Sequence, residues 1–187
     1  MAGLAHASSS KTMQNQGPDT MKTSRGRRLS PRLWWLTTLG IVLVALGLLF
    51  RTHYRLVIVS GTSMLPTLKP GDVLVIDKRE YEYTRPDRGD IVVARYSGGL
   101  VVKRVVGLPG EQVALKGGRL YINGARMQEP HPIEPGYLDV GEGRLFPGDF
   151  ATLGDNRAVA PASAVHPIVT KTDILGKVVL VLGRKIS

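Results

Sequence analysis

Cysteine is absent from this chain of 187 residues. The absence excludes thiolate catalysis, cysteine-ligated zinc or iron–sulfur centres and a disulfide framework, but it does not decide on which side of a membrane the protein works. Aromatic residues make up only 6% of the sequence. The zinc motif HExxH and a phosphate-cradling glycine loop are also missing, so we expect no metal and no organic cofactor.

Acidic residues are also scarce, and the resulting basic excess is concentrated near the N-terminus. The formal net charge is +10. Within the first 32 residues one acid, Asp19, is opposed by six basic residues: Lys11, Lys22, Arg25, Arg27, Arg28 and Arg32. Because few aromatic residues interleave with these charges, the pattern argues against nucleic acid as a partner. Residues 1–31 contain no long apolar run, which predicts a disordered cytoplasmic tail.

A charge-free apolar run follows the basic stretch. Residues 33–50 read LWWLTTLGIVLVALGLLF, and a helix of that length just crosses the ~30 Å hydrocarbon core of a bilayer. We predict a single transmembrane anchor over residues 32–51, with the basic flank in the cytoplasm and residues 52–187 on the outer face. A cleaved secretory signal is the alternative, but the run is longer than a usual signal core and no small-x-small site follows it.

The rest of the chain has the texture of a β-domain. Short β-branched runs are separated by Gly, Pro, Asn and Asp, which predicts a mainly β, antiparallel fold. The predicted strands cover residues 56–59, 73–76, 91–94, 100–106, 112–115, 120–122, 149–153 and 174–182. Lys116–Arg119 is a hairpin signal and Asn123–Gly124 a turn signal. Residues 111–150 form an insertion in which 128–148 are predicted to be an irregular loop, and no helix beyond the anchor is expected.

Ser63, in the segment SGTSMLPTL at residues 60–68, is a candidate nucleophile. A serine hydroxyl needs a neighbouring base to remove its proton. The four histidines have no obvious claim to that role, since they lie in the tail, at the membrane edge or beside prolines in loops: His6, His53, His131 and His166. A Ser-His-Asp triad stays open, because its members meet in space rather than in sequence order. The G-x-S-x-G elbow of α/β-hydrolases is missing.

Lys103 is the other candidate base. It lies in an apolar strand, where alternation directs Lys103 and Arg104 to opposite faces. If Lys103 points inward, burial disfavours its charged form and lowers its pKa, so that a neutral amine near Ser63 acts as general base. In the other interpretation Lys103 is an edge-strand lysine whose stem covers apolar surface, and Ser63 is a turn residue bonded to its own backbone.

Four motifs in one order resemble a known family. They are SGTSMLPTL, RGDIVV at residues 88–93, VVKRVVGLPGE at 101–111 and GDNR at 154–157. Behind an N-terminal apolar run, this order resembles the type I signal peptidases, membrane-bound Ser/Lys endopeptidases that remove signal peptides from exported preproteins. The resemblance implies Ser63 as nucleophile, Lys103 as general base, no cofactor, and two kinds of partner: signal-peptide-bearing preproteins and the lipid bilayer.

The resemblance also implies supporting roles. The backbone N–H of Ser63 helps to form the oxyanion hole, and small pockets accept residues such as alanine at the first and third positions before the cut. Residues that would support the hole or line the pockets are Gly61, Thr62, Met64 and Pro66, with Ser60 as another hydroxyl donor. Residues that would hold the strands around the site are Asp90, Arg104, Asp155, Asn156 and Arg157.

The segment after GDNR departs from the family pattern. Relatives usually carry a serine that bonds the catalytic lysine, followed by an aspartate, and here Ala160 and Ala162 occupy those positions. Ser163 is the hydroxyl left to orient Lys103. Three functions stay open: a general signal peptidase, a related Ser/Lys peptidase dedicated to a narrow client, and a β-domain kept for binding alone. Substrate range separates the first two, and reactivity of Ser63 separates both from the third; the oligomeric state is not indicated.

Overall fold

The computed structural model describes residues 31–159 and 165–183. One compact unit ends at Ile41 and a second begins at Val42. The first helix, α1 (Pro31–His53), runs through this boundary. The predicted cytoplasmic tail, apart from its last residue, lies outside the described residues.

Helix α1 forms where the sequence predicts an apolar helix and extends two residues beyond it at the C-terminal end. Its window Trp34–His53 has a mean hydropathy of 1.8. None of that window is buried in the protein, so large apolar side chains such as Leu43 and Leu46 are exposed. By length and composition the helix is able to cross a bilayer.

The remaining described elements are one short helix and eleven strands. They are β1 (Tyr54–Ile58), β2 (Val73–Asp77), α2 (Glu80–Tyr83), β3 (Ile91–Tyr96), β4 (Gly99–Gly107), β5 (Gln112–Lys116), β6 (Arg119–Ile122), β7 (Ala125–Arg126), β8 (Val140–Arg144), β9 (Asp149–Leu153), β10 (Val165–Thr170) and β11 (Ile174–Val181). Seven strands form one sheet in the order β1-β2-β11-β3-β4-β9-β10, and four form a second in the order β7-β6-β5-β8. Every strand pair is antiparallel, so the predicted fold class is confirmed.

Both turns predicted in the insertion are present. β5 and β6 pair from Val113 with Ile122 to Lys116 with Arg119. The two residues between them, Gly117 and Gly118, have φ values of 55° and 70°, which a two-residue hairpin turn of this kind requires and glycine adopts without strain.

Two expectations about the elements were wrong. Residues 140–144 are not loop but β8, a strand whose glycines and charges give little β-propensity and which is held by pairing with β5. The one-turn helix α2 was also not expected, because four residues show no helical period. It begins where the Asp77 carboxylate accepts hydrogen bonds from the backbone N–H groups of Arg79 and Glu80, at 2.8 and 3.2 Å.

Two further strands, β7 and β10, were not predicted. β7 has only two residues, too few to show alternation. β10 contains a proline and lies at the outer position of its sheet, with a register shift between His166 and Ile168. An edge position and a bulge are where a strand tolerates proline.

The core beneath the large sheet fixes the loop between β1 and β2. Met64 and Leu68 from this loop are 1% and 0% exposed and belong to the same buried cluster as Leu74, Ile76 and Val181. The loop is therefore anchored by apolar side chains that point into the core.

Candidate active site

Ser63 lies in a loop whose two ends are joined. The backbone N–H of Val59 donates to the carbonyl oxygen of Asp72 at 2.9 Å. Within the loop, Met64 and Leu68 are buried and their backbones are linked by a hydrogen bond of 2.8 Å. Ser63 itself is half-buried, so a fixed backbone presents its hydroxyl at the surface.

Lys103 lies inside the protein, which agrees with the first of its two interpretations, an inward-facing lysine. Its side chain is on β4, opposite Val92 of β3, and the residue is 2% exposed. Burial lowers the pKa of Lys103 from 10.5 to about 8, although the carboxylate of Asp155 opposes the change by raising it. A large fraction of this amine is therefore neutral in mildly alkaline solution.

Ser63 and Lys103 line one cleft. The cleft has a volume of about 570 Å³ and lies between residues 57–64 and residues 100–103. Gly154 lies beside both candidates, since a methyl group added to it would overlap the carbonyl oxygen of Ser63 and lie 3.3 Å from Nζ of Lys103. A hydroxyl and an amine of lowered pKa in one cleft are the components of nucleophilic catalysis with a lysine base.

The GDNR segment, residues 154–157, is bonded to the Ser63 loop. The backbone N–H of Asn156 donates to the carbonyl oxygen of Ser63 at 2.9 Å. The Asn156 side-chain amide donates to the carbonyl oxygen of Thr62 at 3.1 Å. The segment therefore fixes the backbone on which the candidate nucleophile is placed.

Arg104 and Asp155 form a buried ion pair beside Lys103. Nε and one terminal nitrogen of Arg104 donate to the two carboxylate oxygens of Asp155 at 2.9 and 2.7 Å. Arg104 also donates to the carbonyl oxygen of Gly89 at 2.8 Å. Such a bidentate, buried pair has a well-defined geometry, so it ties β4 to the GDNR segment.

Arg157 joins the GDNR segment to residues 127–139, here called the insertion loop. Its guanidinium donates to the carbonyl oxygen of Gly154 at 2.8 Å and lies 2.6 Å from a carboxylate oxygen of Glu129. The insertion loop also docks through its backbone, because the N–H and carbonyl of Glu134 bond to Asp155 and Arg157 at 3.0 and 2.9 Å.

Sequence reasoning missed the parts of the insertion loop that reach the GDNR segment. Glu129 and His131 lie in a stretch predicted to be irregular, and no spacing in the sequence connects them to residues 154–157. The imidazole Nε2 of His131 lies 3.5 Å from a carboxylate oxygen of Glu129 and 3.5 Å from one of Asp155. An acid and a histidine two residues apart in a proline-rich loop were the only signal available.

The other predicted supporting residues are divided between cleft and periphery. Gly61, Thr62 and Met64 line the cleft, whereas Pro66 is exposed and is not among the lining residues. Asp90 accepts a hydrogen bond from the hydroxyl of Tyr81 at 2.8 Å and lies 2.9 Å from Nζ of Lys177, so it connects α2 and β11 at the start of β3.

Ser163, Ala160 and Ala162 lie outside the described residues, so the role predicted for Ser163 stays a prediction. Within residues 31–159 and 165–183, no three His, Cys, Asp or Glu side chains are grouped as a metal site requires.

Known proteins resemble this chain over most of its length. The family model described as "Signal peptidase, peptidase S26" matches residues 32–182. Signal peptidase I of Leptolyngbya laminosa is 33% identical over 189 residues, which cover 95% of this chain and 92% of the relative. Signal peptidase I of Bacillus caldolyticus is 35% identical over 173 residues, covering 84% and 90%. A crystal structure of a signal peptidase I from Enterococcus faecalis is 27% identical, with a TM-score of 0.42, and covers 51% of this chain and 97% of that one.

These matches define the class of protein. The chain is a serine peptidase, a hydrolase. Within that class it belongs to the signal peptidase family, peptidase S26, as the family model and the relatives show. Members of this family are membrane-anchored and use a Ser/Lys dyad as standard.

Proposed function

We propose that this protein removes N-terminal signal peptides from exported preproteins, with Ser63 as nucleophile and Lys103 as general base. The observation that carries the assignment is the shared cleft, which is lined by both a half-buried serine and a lysine that is 2% exposed. Burial, by lowering the pKa of Lys103 to about 8, supplies the neutral amine that such a base requires.

The proposed reaction has two halves. The neutral Lys103 amine takes the proton of the Ser63 hydroxyl while Oγ attacks the carbonyl carbon before the scissile bond. The ammonium then gives the proton to the leaving amine as the peptide C–N bond breaks, which leaves an acyl ester on Ser63. In the second half Lys103 takes a proton from water, the resulting hydroxide attacks the ester, and the proton returns to Oγ of Ser63.

Charge that develops on the carbonyl oxygen needs hydrogen-bond donors. The proposed donor is the backbone N–H of Ser63, whose position is fixed by the bond from Asn156 to the carbonyl of the same residue. Preorganised donors of this kind stabilise the transition state more than the ground state. Gly61 is exposed beside it, and the hydroxyls of Thr62 and Ser60 are alternative donors.

The edges of the two strands beside the cleft suit an extended substrate. β4 pairs with β3 from Gly99 to Arg104, but of its described pairs with β9 the first is at Arg104. Residues 100–103 therefore turn one backbone edge toward the cleft, and β1 is one of the two outer strands of the sheet. A substrate strand added there gains main-chain hydrogen bonds, while side-chain pockets select small residues such as alanine.

The proposed location is the outer face of the cytoplasmic membrane. Helix α1 would span the bilayer, with the basic N-terminal flank in the cytoplasm and the β-domain from residue 52 outside. Ser63 follows the last residue of α1, His53, by only ten residues, which suits cleavage where a signal helix leaves the bilayer. The partners are then preproteins and the lipid bilayer.

A cleavage assay tests this function. The purified full chain in detergent is incubated with a preprotein bearing an Ala-x-Ala site, beside its Ser63→Ala variant, and the new N-terminus of the product is sequenced. Cleavage after the second alanine by the parent protein alone is the expected result. Equal cleavage by both proteins would exclude Ser63 as nucleophile.

A dedicated peptidase with a narrow client is the second candidate. Ala160 and Ala162, which stand where relatives carry a serine and an aspartate, favour it. In that case the parent protein cleaves few preproteins of a panel with different signal peptides, whereas a general signal peptidase cleaves most of them.

A further inference from the structure

His131 is a buried polar side chain that the proposed mechanism does not use. Its side chain is 9% exposed, and its Nε2 has no hydrogen-bond partner among the described residues at ordinary geometry. A buried polar atom in this state requires a physical reason, because most such atoms are satisfied.

The surroundings of His131 contain charges of both signs. Two carboxylates face its Nε2, one from Glu129 on the same loop and one from Asp155 after β9, each at 3.5 Å. Each carboxylate has its own arginine, since Arg157 bonds Glu129 at 2.6 Å and Arg104 bonds Asp155 at 2.7 Å. Arg104 and Arg88 also line the cavity of about 250 Å³ that His131 borders.

The position of Nε2 favours the form of the ring in which this nitrogen carries a hydrogen. A bare ring lone pair between two carboxylate oxygens would be repelled by both, whereas an N–H is attracted to both. His131 also affects the pKa of Glu129. Burial raises the pKa of this carboxyl, but His131 and Arg157 together hold it below its usual value. Glu129 is therefore ionised and available to both partners.

We propose that His131 is a positioning residue for the Ser63–Lys103 pair, whose Nε2–H holds the insertion loop and the GDNR segment together through Glu129 and Asp155. This inference rests on the proposed function. His131 borders a different cavity from the cleft that Ser63 and Lys103 line. Its effect reaches Ser63 through Asn156, the residue after Asp155, and reaches the surroundings of Lys103 through the Asp155–Arg104 ion pair.

The insertion loop supports the GDNR segment from a part of the chain that precedes it. Contacts from Glu129, His131 and the Glu134 backbone reach residues 154–157. The segment that is bonded to the Ser63 backbone is therefore itself held by the insertion loop.

Two substitutions of His131 separate a positioning role from simple packing. His131→Gln keeps an N–H donor at about the reach of Nε2, whereas His131→Leu fills similar space without a donor. Pro132→Ala, a change at the exposed neighbour on the same loop, is the matched control. Two quantities are measured on the full chain in detergent: kcat/KM for the Ala-x-Ala preprotein, and hydrogen–deuterium exchange of peptides covering residues 154–157.

The exchange measurement is made in the Ser63→Ala background, so it does not depend on turnover. For His131→Leu we expect about tenfold faster exchange at residues 154–157, because leucine removes the N–H that is attracted to two buried carboxylates, an interaction of the order of a weak hydrogen bond, and about a tenfold loss of kcat/KM in the otherwise parental enzyme. His131→Gln should restore most of both, and Pro132→Ala should change neither.

Unchanged exchange at residues 154–157 in His131→Leu would overturn the inference, as would equal behaviour of the leucine and glutamine variants. If the leucine variant does not fold, His131→Met, which also lacks an N–H donor but has a more adaptable side chain, replaces it with the same expected results. Failure of the proposed function is distinguishable, because there the parent protein and Ser63→Ala cleave equally or not at all, whatever the exchange data show.

Discussion

The backbone N–H of Asn156 donates a hydrogen bond to the carbonyl oxygen of Ser63, with 2.9 Å between nitrogen and oxygen. The two residues are far apart in the sequence, and the side-chain amide of Asn156 adds a bond to Thr62 at 3.1 Å. The Ser63 loop is therefore fixed by hydrogen bonds from the GDNR segment and by its own buried apolar side chains. A change in the segment should displace Ser63 without altering its chemistry.

Gly154→Ala tests whether the GDNR segment positions Ser63. The new methyl group would overlap the carbonyl oxygen of Ser63 and approach Nζ of Lys103. Because a shift of about 1 Å in a reacting group costs about 100-fold in rate, we expect kcat/KM to fall by about that factor. Gly143→Ala is the control, since a methyl there meets nothing within 4 Å. Similar activities of the two variants would show that the segment does not position Ser63.

Lys103→Met should separate activity from stability. The amine is more easily protonated in the unfolded chain, because burial lowers its pKa in the folded protein from 10.5 to about 8. Below pH 8 this difference destabilises the folded state, and the cost is relieved as the pH rises from 8 to 10.5. Methionine fills similar volume without a charge, so the free energy of unfolding at pH 7 should rise by up to about 3 kcal/mol.

The same variant should lose catalysis by a factor of about 10³. Urea unfolding followed by circular dichroism measures the stability, and cleavage of the preprotein measures the activity. A Lys103→Met protein that is less stable than the parent at pH 7 would contradict the account of burial, and an active one would contradict the assignment of the base.

The pH dependence of kcat/KM should have its acidic limb at about pH 8. Only the neutral amine accepts the proton of Ser63, and Lys103 becomes neutral as the pH rises through its pKa of about 8. Activity should therefore be low at pH 6 and approach its plateau above pH 9. A limb near pH 6.5, the usual range of histidine, would favour a triad with a histidine base instead.

Asp155→Asn should move that limb to lower pH. The Asp155 carboxylate raises the pKa of Lys103, and its removal also leaves the charge of Arg104 without its bidentate partner. Both changes disfavour the positive charge of a protonated Lys103 and so lower its pKa. Breaking a buried pair by removing one partner also costs about 3–5 kcal/mol of unfolding free energy. Asp87→Asn, at an exposed carboxylate, is the control, and a limb displaced to higher pH is the result that the electrostatic account does not allow.

The predicted strands follow from side-chain chemistry. In β4 a run of valines favours the pleated, buried environment of a strand, so its location could be predicted from residues 100–106 alone. β8 could not, because its Val-Gly-Glu-Gly-Arg sequence has little preference for a strand and depends on its neighbour β5. Local propensity predicts a strand only where the sequence itself prefers that state.

In the candidate site, too, some residues could be predicted from the sequence and others could not. Ser63 and Lys103 could be proposed from motifs, since each lies in a distinctive local pattern. Glu129 and His131 could not, because their partners Arg157 and Asp155 follow them by more than twenty residues and meet them only in the folded chain. Contacts between a proline-rich loop and a distant segment leave no periodic signal in the sequence.

A double-mutant cycle on Ser63 and Lys103 tests the central claim most directly. The quantity is kcat/KM for cleavage of the Ala-x-Ala preprotein at pH 9 by the parent protein, Ser63→Ala, Lys103→Met and the double variant. Because a nucleophile and its base act as one unit, we expect each single variant to lose nearly all of the activity and the double variant to lose no more. Substantial activity in either single variant, or losses that multiply in the double variant, would contradict a Ser63–Lys103 dyad.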